Sequence, residues 1–250
     1  MASELQGVPP LRQAARGLGM VFAAAALGFI TLFAQTLILA SVKDRWEPIL
    51  LAVWGVLELL AFRGRWLCRR AKASLRTKNL LRASLVLTGL AALLEIGLAV
   101  FTGLVYFKII ELDEQALQLI EEHLWLALLA PLVHLLSTIL FLFYIRGLAI
   151  AIERSEYGTD AVAVVVAGGL IYLVLLPVIL LLIWLFYYLK WIRWDVIRLL
   201  LQPHVIAGGF WLLALYPIIL YYRLLTQLRN ALLYMAETEE REKKHKRHGG

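Results

Sequence analysis

AVAVVVAGGLIYLVLLPVILLLIWLFYYL, the stretch from Ala161 to Leu189, contains no charged side chain. Its 29 residues exceed the roughly 20 that a helix needs to cross the hydrocarbon core of a bilayer. A helix that is apolar on every face has no side to offer to water, so the stretch belongs in lipid. Shorter runs of the same kind lie before and after it. Spans are expected at about 18–42, 48–63, 83–107, 124–145, 161–189 and 199–222. The expected fold is all-α, a polytopic transmembrane helix bundle. It has six spans, or five if 49–62 lies in the membrane surface. The chain reads as one transmembrane domain with a short basic tail over 223–250.

Composition agrees. Of 250 residues, 62% are hydrophobic and 17% charged, against roughly 45–50% and 25% in soluble domains. The mean hydropathy is +0.78. The formal net charge of +7 reads first as membrane topology and contact with anionic lipid. Cys68 is the single cysteine, which excludes an intramolecular disulfide or a thiolate metal cluster. It reads as an inert juxtamembrane thiol among arginines.

Orientation comes from the loops. Arg63 to Arg82 holds eight Lys or Arg and no acid, and the positive-inside rule places that loop in the cytoplasm, beside anionic lipid. The acidic connection with Glu111, Asp113, Glu114, Glu121 and Glu122 then falls outside. The belt Lys190 to Asp195 disagrees in charge but is short enough to be outvoted. A basic start before Leu18 to Val42 suggests a signal peptide, but the apolar run is too long and Ile38-Leu39-Ala40 is a poor cleavage site. With six spans both termini are cytoplasmic. Ile49 to Phe62 is the least certain span, being short and carrying Glu58, with Trp46 and Trp66 as interfacial anchors.

Two late helices align without gaps, Val165 to Leu180 over Val205 to Leu220, with Gly168, Gly169 and Pro177 against Gly208, Gly209 and Pro217. An inverted repeat of transporter type is one reading. The other is the common membrane alphabet of close-packing glycines and kinking prolines, under which Gly168 and Gly208 are packing positions.

Three ionisable residues fall inside expected spans: Glu58, Glu95 and His134. Each costs about 2.5–3.5 kcal/mol at the bilayer centre. Thr88, Ala91, Ala92, Ala99 and Thr102 surround Glu95, and Ala127, Ala130, Pro131, Ser137 and Thr138 surround His134. Small, weakly polar faces pack helix on helix, so Glu95 and His134 are expected to meet across an antiparallel pair. They form either a proton- or ion-linked site or a buried pair that sets register.

Catalytic signatures are missing: there is no HExxH, GxSxG or P-loop. Glu121-Glu122-His123 resembles the start of a membrane-protease glutamate motif without its arginine. The four aspartates are scattered, so no magnesium cluster is expected. His123 and His204 read as isolated interfacial histidines rather than haem ligands. No cofactor, metal or nucleic acid is therefore expected, and catalytic residues none. The expected role is a non-enzymatic component or accessory subunit of a membrane assembly, with a membrane protein partner or homo-oligomer. The alternatives are a small transporter or channel with its site at Glu95 and His134, and, third, an intramembrane enzyme.

Leu142-Phe143-Tyr144-Ile145-Arg146-Gly147-Leu148-Ala149, followed by an acidic connector and a new apolar helix, resembles a pattern in uncharacterised multi-pass membrane proteins of planctomycete bacteria. The basic residues around Cys68 that lead into Leu80 to Leu94 are similar to the same group, though the proline those proteins carry soon after the cysteine is absent. The resemblance covers about half the chain. It implies a bacterial inner membrane and brings no activity with it.

Overall fold

The computed structural model describes residues 8–41, 47–71, 73–107, 129–170 and 203–248. Among them are six helices and no strand: α1 (Val8–Ser41), α2 (Glu47–Cys68), α3 (Leu75–Tyr106), α4 (Leu129–Ala151), α5 (Ser155–Gly169) and α6 (Pro203–His248). The decisive apolar stretch enters as α5, and its part beyond Leu170, with Pro177 of the repeat, lies outside the described residues.

Local chemistry sets the helix ends. Pro9, Pro10, Pro48, Pro131 and Pro203 all stand within the first three residues of a helix, where a missing N–H has no intrahelical partner to lose. Ser74 caps α3, its hydroxyl accepting from the Thr77 N–H at 3.2 Å. The Tyr144 hydroxyl donates at 2.8 Å to the Cys68 carbonyl at the end of α2, which also accepts from the Ala71 N–H at 3.1 Å. α4 turns sharply into α5 through Glu153, at φ 58°, which sends its N–H to Ile150 O at 3.1 Å while Arg154 N–H reaches Ala149 O at 2.9 Å. That is a Schellman closure with glutamate where glycine is usual.

Each helix packs on its chain neighbours, and α6 returns to pack on α1, so the six form a closed ring in chain order. Neighbours run antiparallel. Gly17 meets Gly64 while Gly28 meets Trp54, and Arg12 pairs with Glu240 while Phe22 meets Tyr222. The start of α1, the end of α2, the start of α3 and the end of α4 therefore share one end of the bundle. Arg12, Arg16, Arg69, Arg70, Arg76, Arg82 and Arg146 all lie there. The buried core sits at that same end, from Leu11, Leu18, Leu81, Phe141, Leu148, Leu224, Leu228 and their neighbours.

Away from that leucine-rich core the packing changes character along α3. α3 turns Ser84, Thr88, Ala91 and Ala92 inward and Val86, Leu90, Leu93 and Val100 outward, with Val86 70% exposed. Small residues between helices and large aliphatics outside are what lipid favours. Among the described residues, three helical segments are long and apolar enough to cross a membrane: Pro9–Thr31, Leu75–Val105 and Leu132–Ala151, with mean hydropathies of 1.6, 2.1 and 1.8. The chain is a helical, membrane-embedded protein. α2 has 22 residues, about 33 Å of helix, but carries four charged side chains. Of these, Glu58 and Arg65 point inward.

Two expected boundaries move. The basic loop over 63–82 is mostly helix: α2 runs on to Cys68 and α3 begins at Leu75, leaving a short connection between them. Arginine is a good helix former whose aliphatic stem lies along apolar neighbours, so a positive charge does not end a helix. The end of the last span moves too: the basic tail from 223, expected to continue that span as a solvated helix, is helical, but Leu224, Leu225, Leu228, Leu232 and Ala236 are enclosed before α6 leaves the core.

Glycines mark the helix crossings, though not where the repeat placed them. A Cβ on Gly64 would lie 2.6 Å from the Gly17 carbonyl oxygen, and one on Gly55 would lie 2.6 Å from the Ile96 side chain. By contrast, nothing among the described residues lies within 4 Å of a Cβ on Gly168 or Gly169. The side-chain surroundings of Gly208 lie outside the described residues. Gly17→Leu and Gly64→Leu should each lower thermal stability in detergent by an overpacking cost of about 1–3 kcal/mol. Gly168→Leu should melt like the parent; equal losses at all three positions would remove this distinction.

Candidate functional site

Along α2, Glu58, Ala61, Arg65 and Cys68 recur at helical spacing and form its buried face. Arg63, Trp66, Arg69 and Arg70 are turned outward, where the Arg69 guanidinium lies 4.0 Å over the exposed Trp66 ring. Arg65 is the exception among these arginines, only 2% exposed.

Among the described residues no carboxylate meets the Arg65 guanidinium. Its Nη1 donates to the hydroxyls of Ser84 (3.0 Å), Thr88 and Ser137, and its Nη2 to Thr138 at 3.5 Å. The face of the Phe141 ring lies 4.8 Å from the guanidinium carbon, and Phe141 stacks on Tyr144. Arg65 thus reaches from α2 to both α3 and α4. The hydroxyls can serve as acceptors because their protons have other destinations. Ser84 and Ser137 exchange hydroxyl-to-carbonyl bonds at 3.0 Å, and Thr88 donates to the Ser84 carbonyl at 2.7 Å. Their lone pairs are left for the cation. Nε of Arg65 has no hydrogen-bond partner among the described residues.

Glu58 stands seven residues before Arg65, about 10 Å along the helix. Two unit charges at that separation attract by roughly 1.7 kcal/mol at an effective dielectric of 20. The direct partner of Glu58 is His134, whose Nδ1 meets its Oε1. The His134 side chain is 47% exposed and that of Glu58 6%. Glu58 Oε2 is enclosed without a hydrogen-bond partner among the described residues.

The expected pairing of Glu95 with His134 is thereby corrected. His134 bonds to Glu58, and Glu95 stands half-buried, within electrostatic reach of both. The physical reason is the ring: α2 flanks α3, and its buried face looks past α3 toward α4, so an α2 carboxylate arrives first. Of the small residues expected around Glu95, Thr88, Ala91, Ala92 and Ala99 are buried and Thr102 is half-buried; of those expected around His134, Ser137 is buried and Thr138 half-buried, while the side chains of Ala127, Ala130 and Pro131 lie outside the described residues. Arg65 is the residue that reasoning from charge missed, because it was counted in a solvated basic loop. Its signal was its spacing from Glu58, Ala61 and Cys68.

Cys68 is fully enclosed, its Sγ 3.6 Å from the Ala14 carbonyl. No group of three or more His, Cys, Asp or Glu that could hold a metal occurs among the described residues. His123 and His204 fall outside the residues whose side chains are described. No protein-family model, curated protein or solved structure matches the chain.

The arrangement has a sharp energetic signature. Removing an acceptor of a buried cation costs about 1.5–3 kcal/mol, whereas replacing a buried ion by a well-packed apolar side chain is often close to neutral. Ser137→Ala combined with Thr88→Val should therefore destabilise the protein more than Arg65→Met does. In the Arg65→Met background the same double change should cost less, because no buried cation is then left without its acceptors. Thermal unfolding in detergent of the four proteins reads the coupling, and strict additivity would show that the hydroxyls do not hold the cation.

Proposed function

We propose that the chain is a six-span, multi-pass protein of a bacterial inner membrane, acting as a non-enzymatic component or accessory subunit of a membrane assembly. The observation that carries the role is the internal coordination of the buried cation. The hydroxyls facing Arg65 belong to the protein itself, so the strongest polar feature of the interior is spent on joining α2, α3 and α4. A passage for cargo would instead leave polar groups turned toward a lumen. The resemblance to planctomycete membrane proteins supports the location.

Six alternating spans and cytoplasmic termini are supported by the ring. Its antiparallel neighbours bring the start of α1 and the late part of α6 to one end, through Arg12 and Glu240 at 2.6 Å. That end carries the basic residues, in keeping with the positive-inside rule. Enclosed Cys68 is a poor topology reporter whichever side it faces, so introduced cysteines are needed. In a Cys68→Ala background on intact cells, an impermeant thiol reagent should label Gln115→Cys and Asp44→Cys and leave the exposed Asn79→Cys unlabelled. Labelling of Asn79→Cys would reverse the orientation. Protection of Asp44→Cys would mean α2 does not cross.

A second reading has its own observation: Glu58, Glu95 and His134 converge, and His134 is half-exposed, as a proton-linked site requires. Two measurements separate the readings. Purification in gentle detergent should retain a stoichiometric membrane partner or a second copy, and proteoliposomes should show no pH-driven flux. Flux that falls at least tenfold with Glu58→Gln or His134→Gln would establish the transporter instead.

A further inference from the structure

A groove of about 860 Å³ runs between α1, α2 and α6 at the basic end of the ring. Its walls are mainly apolar, with Phe22, Leu60 and Leu225 among them, and four arginines enter it: Arg16 from α1, Arg63 and Arg70 from α2, and Arg229 from α6. None of the residues lining it is acidic. Arg70 donates to Gln13 at 2.6 Å, which aims a cation without neutralising it. Arg16, Arg63 and Arg229 have no ion-pair partner among the described residues, although acidic groups are at hand on the same helices. Glu58 is taken by His134 and Glu240 by Arg12. Register brings the four charges close together. Arg70 is level with Gln13, and Arg229 lies over Gly19, its Nε 3.5 Å from where a Cβ would stand. They thus fall within six residues of α1, about 9 Å of helix rise.

Like charges gathered this closely repel, and the chain supplies no counter-charge. An apolar trough under a cationic rim, at the end of a membrane bundle, has the two-part chemistry of a phospholipid. We infer that this groove is a specific site for an anionic phospholipid, its phosphate held among Arg16, Arg63, Arg70 and Arg229 and an acyl chain lying along the apolar floor. Basic pockets between transmembrane helices are a recognised form of lipid recognition. The volume lies within the roughly 300–1,000 Å³ of ligand sites. The site differs from the diffuse lipid contact expected of a basic loop: Arg16 and Arg229 come from the first and last helices, and Arg76, Lys78 and Arg82 take no part. It rests on the membrane-embedded nature of the chain and is independent of the accessory role.

The test uses the full-length protein, delipidated in a mild non-ionic detergent, with short-chain phosphatidylglycerol, phosphatidylcholine and inorganic phosphate as probes. Phosphatidylglycerol should raise the melting temperature and remain bound in native mass spectrometry; phosphatidylcholine and phosphate at equal concentration should do neither. Arg16→Gln with Arg229→Gln should weaken phosphatidylglycerol binding at least fivefold, while Arg76→Gln with Arg82→Gln, which removes the same charge outside the groove, should leave it unchanged. Thr226→Trp fills the groove at constant charge and should also weaken binding, which keeps the test decisive should the double arginine variant fail to fold. Equal losses in the two double variants would reduce the effect to diffuse charge. An equal response to inorganic phosphate would make the site one for a free anion, and retention of a peptide or protein in the groove would assign it to a different occupant; each outcome overturns the proposal. Failure of membrane embedding would show separately, as solubility without detergent.

Discussion

A guanidinium enclosed among helices and held by hydroxyls is the constraint on which this bundle depends. Taking an ion out of water costs several kcal/mol even after the surroundings relax. For Arg65 that cost is offset by hydroxyls from two other helices and by the face of Phe141. The arrangement works only when α2, α3 and α4 stand in one register. A slip of one residue would turn Ser84 and Thr88, or Ser137, away from the cation and leave it stranded. Register in a membrane cannot come from hydrophobic burial alone, since lipid is as apolar as leucine. A single polar centre with several acceptors supplies it.

Close approach of backbones does the remaining work. At the crossing of α1 with α2, Gly17 and Gly64 face each other with no side chain between them, and Cys68 fills the space below. Between α3 and α4 the Thr77 side chain lies against Gly147. These contacts bring main-chain dipoles and small side chains within dispersion range, which large aliphatics would prevent. Away from these crossings the large aliphatics either fill the enclosed core at the basic end or face the outer surface, where the surrounding phase is itself apolar.

Much of this was legible from residue order. Runs without charge announced helices, and prolines marked their beginnings. The pattern Thr88, Ala91, Ala92, Ala99 announced an inward face. Three things were not. The end of α2 was read where charge began, yet arginine continues a helix readily; past 222 a helix was expected, but not that its leucines would be enclosed. The partner of His134 was sought on the next helix in sequence, whereas the ring sets an α2 carboxylate against it. Arg65 was read with its charged neighbours, although its face of the helix decides its environment; Arg63, two positions earlier, lies about 160° round the axis, and Arg69 and Arg70 lie past the end of α2. Charge is a property of composition, while burial is a property of angle around an axis.

The closure of α6 on α1 has a consequence for biosynthesis. Gly17 and Gly64 are 47 positions apart and can meet as soon as the first hairpin is inserted. Arg12 and Glu240 are separated by 228 residues. At about 5–20 residues per second of translation, the second flank of α1 waits roughly 10–45 s for its neighbour. Throughout that interval the nascent chain is an open crescent, held at one edge by a glycine crossing and bare at the other. Completion of the ring is a late event governed by the ribosome rather than by the rate at which helices diffuse in the bilayer.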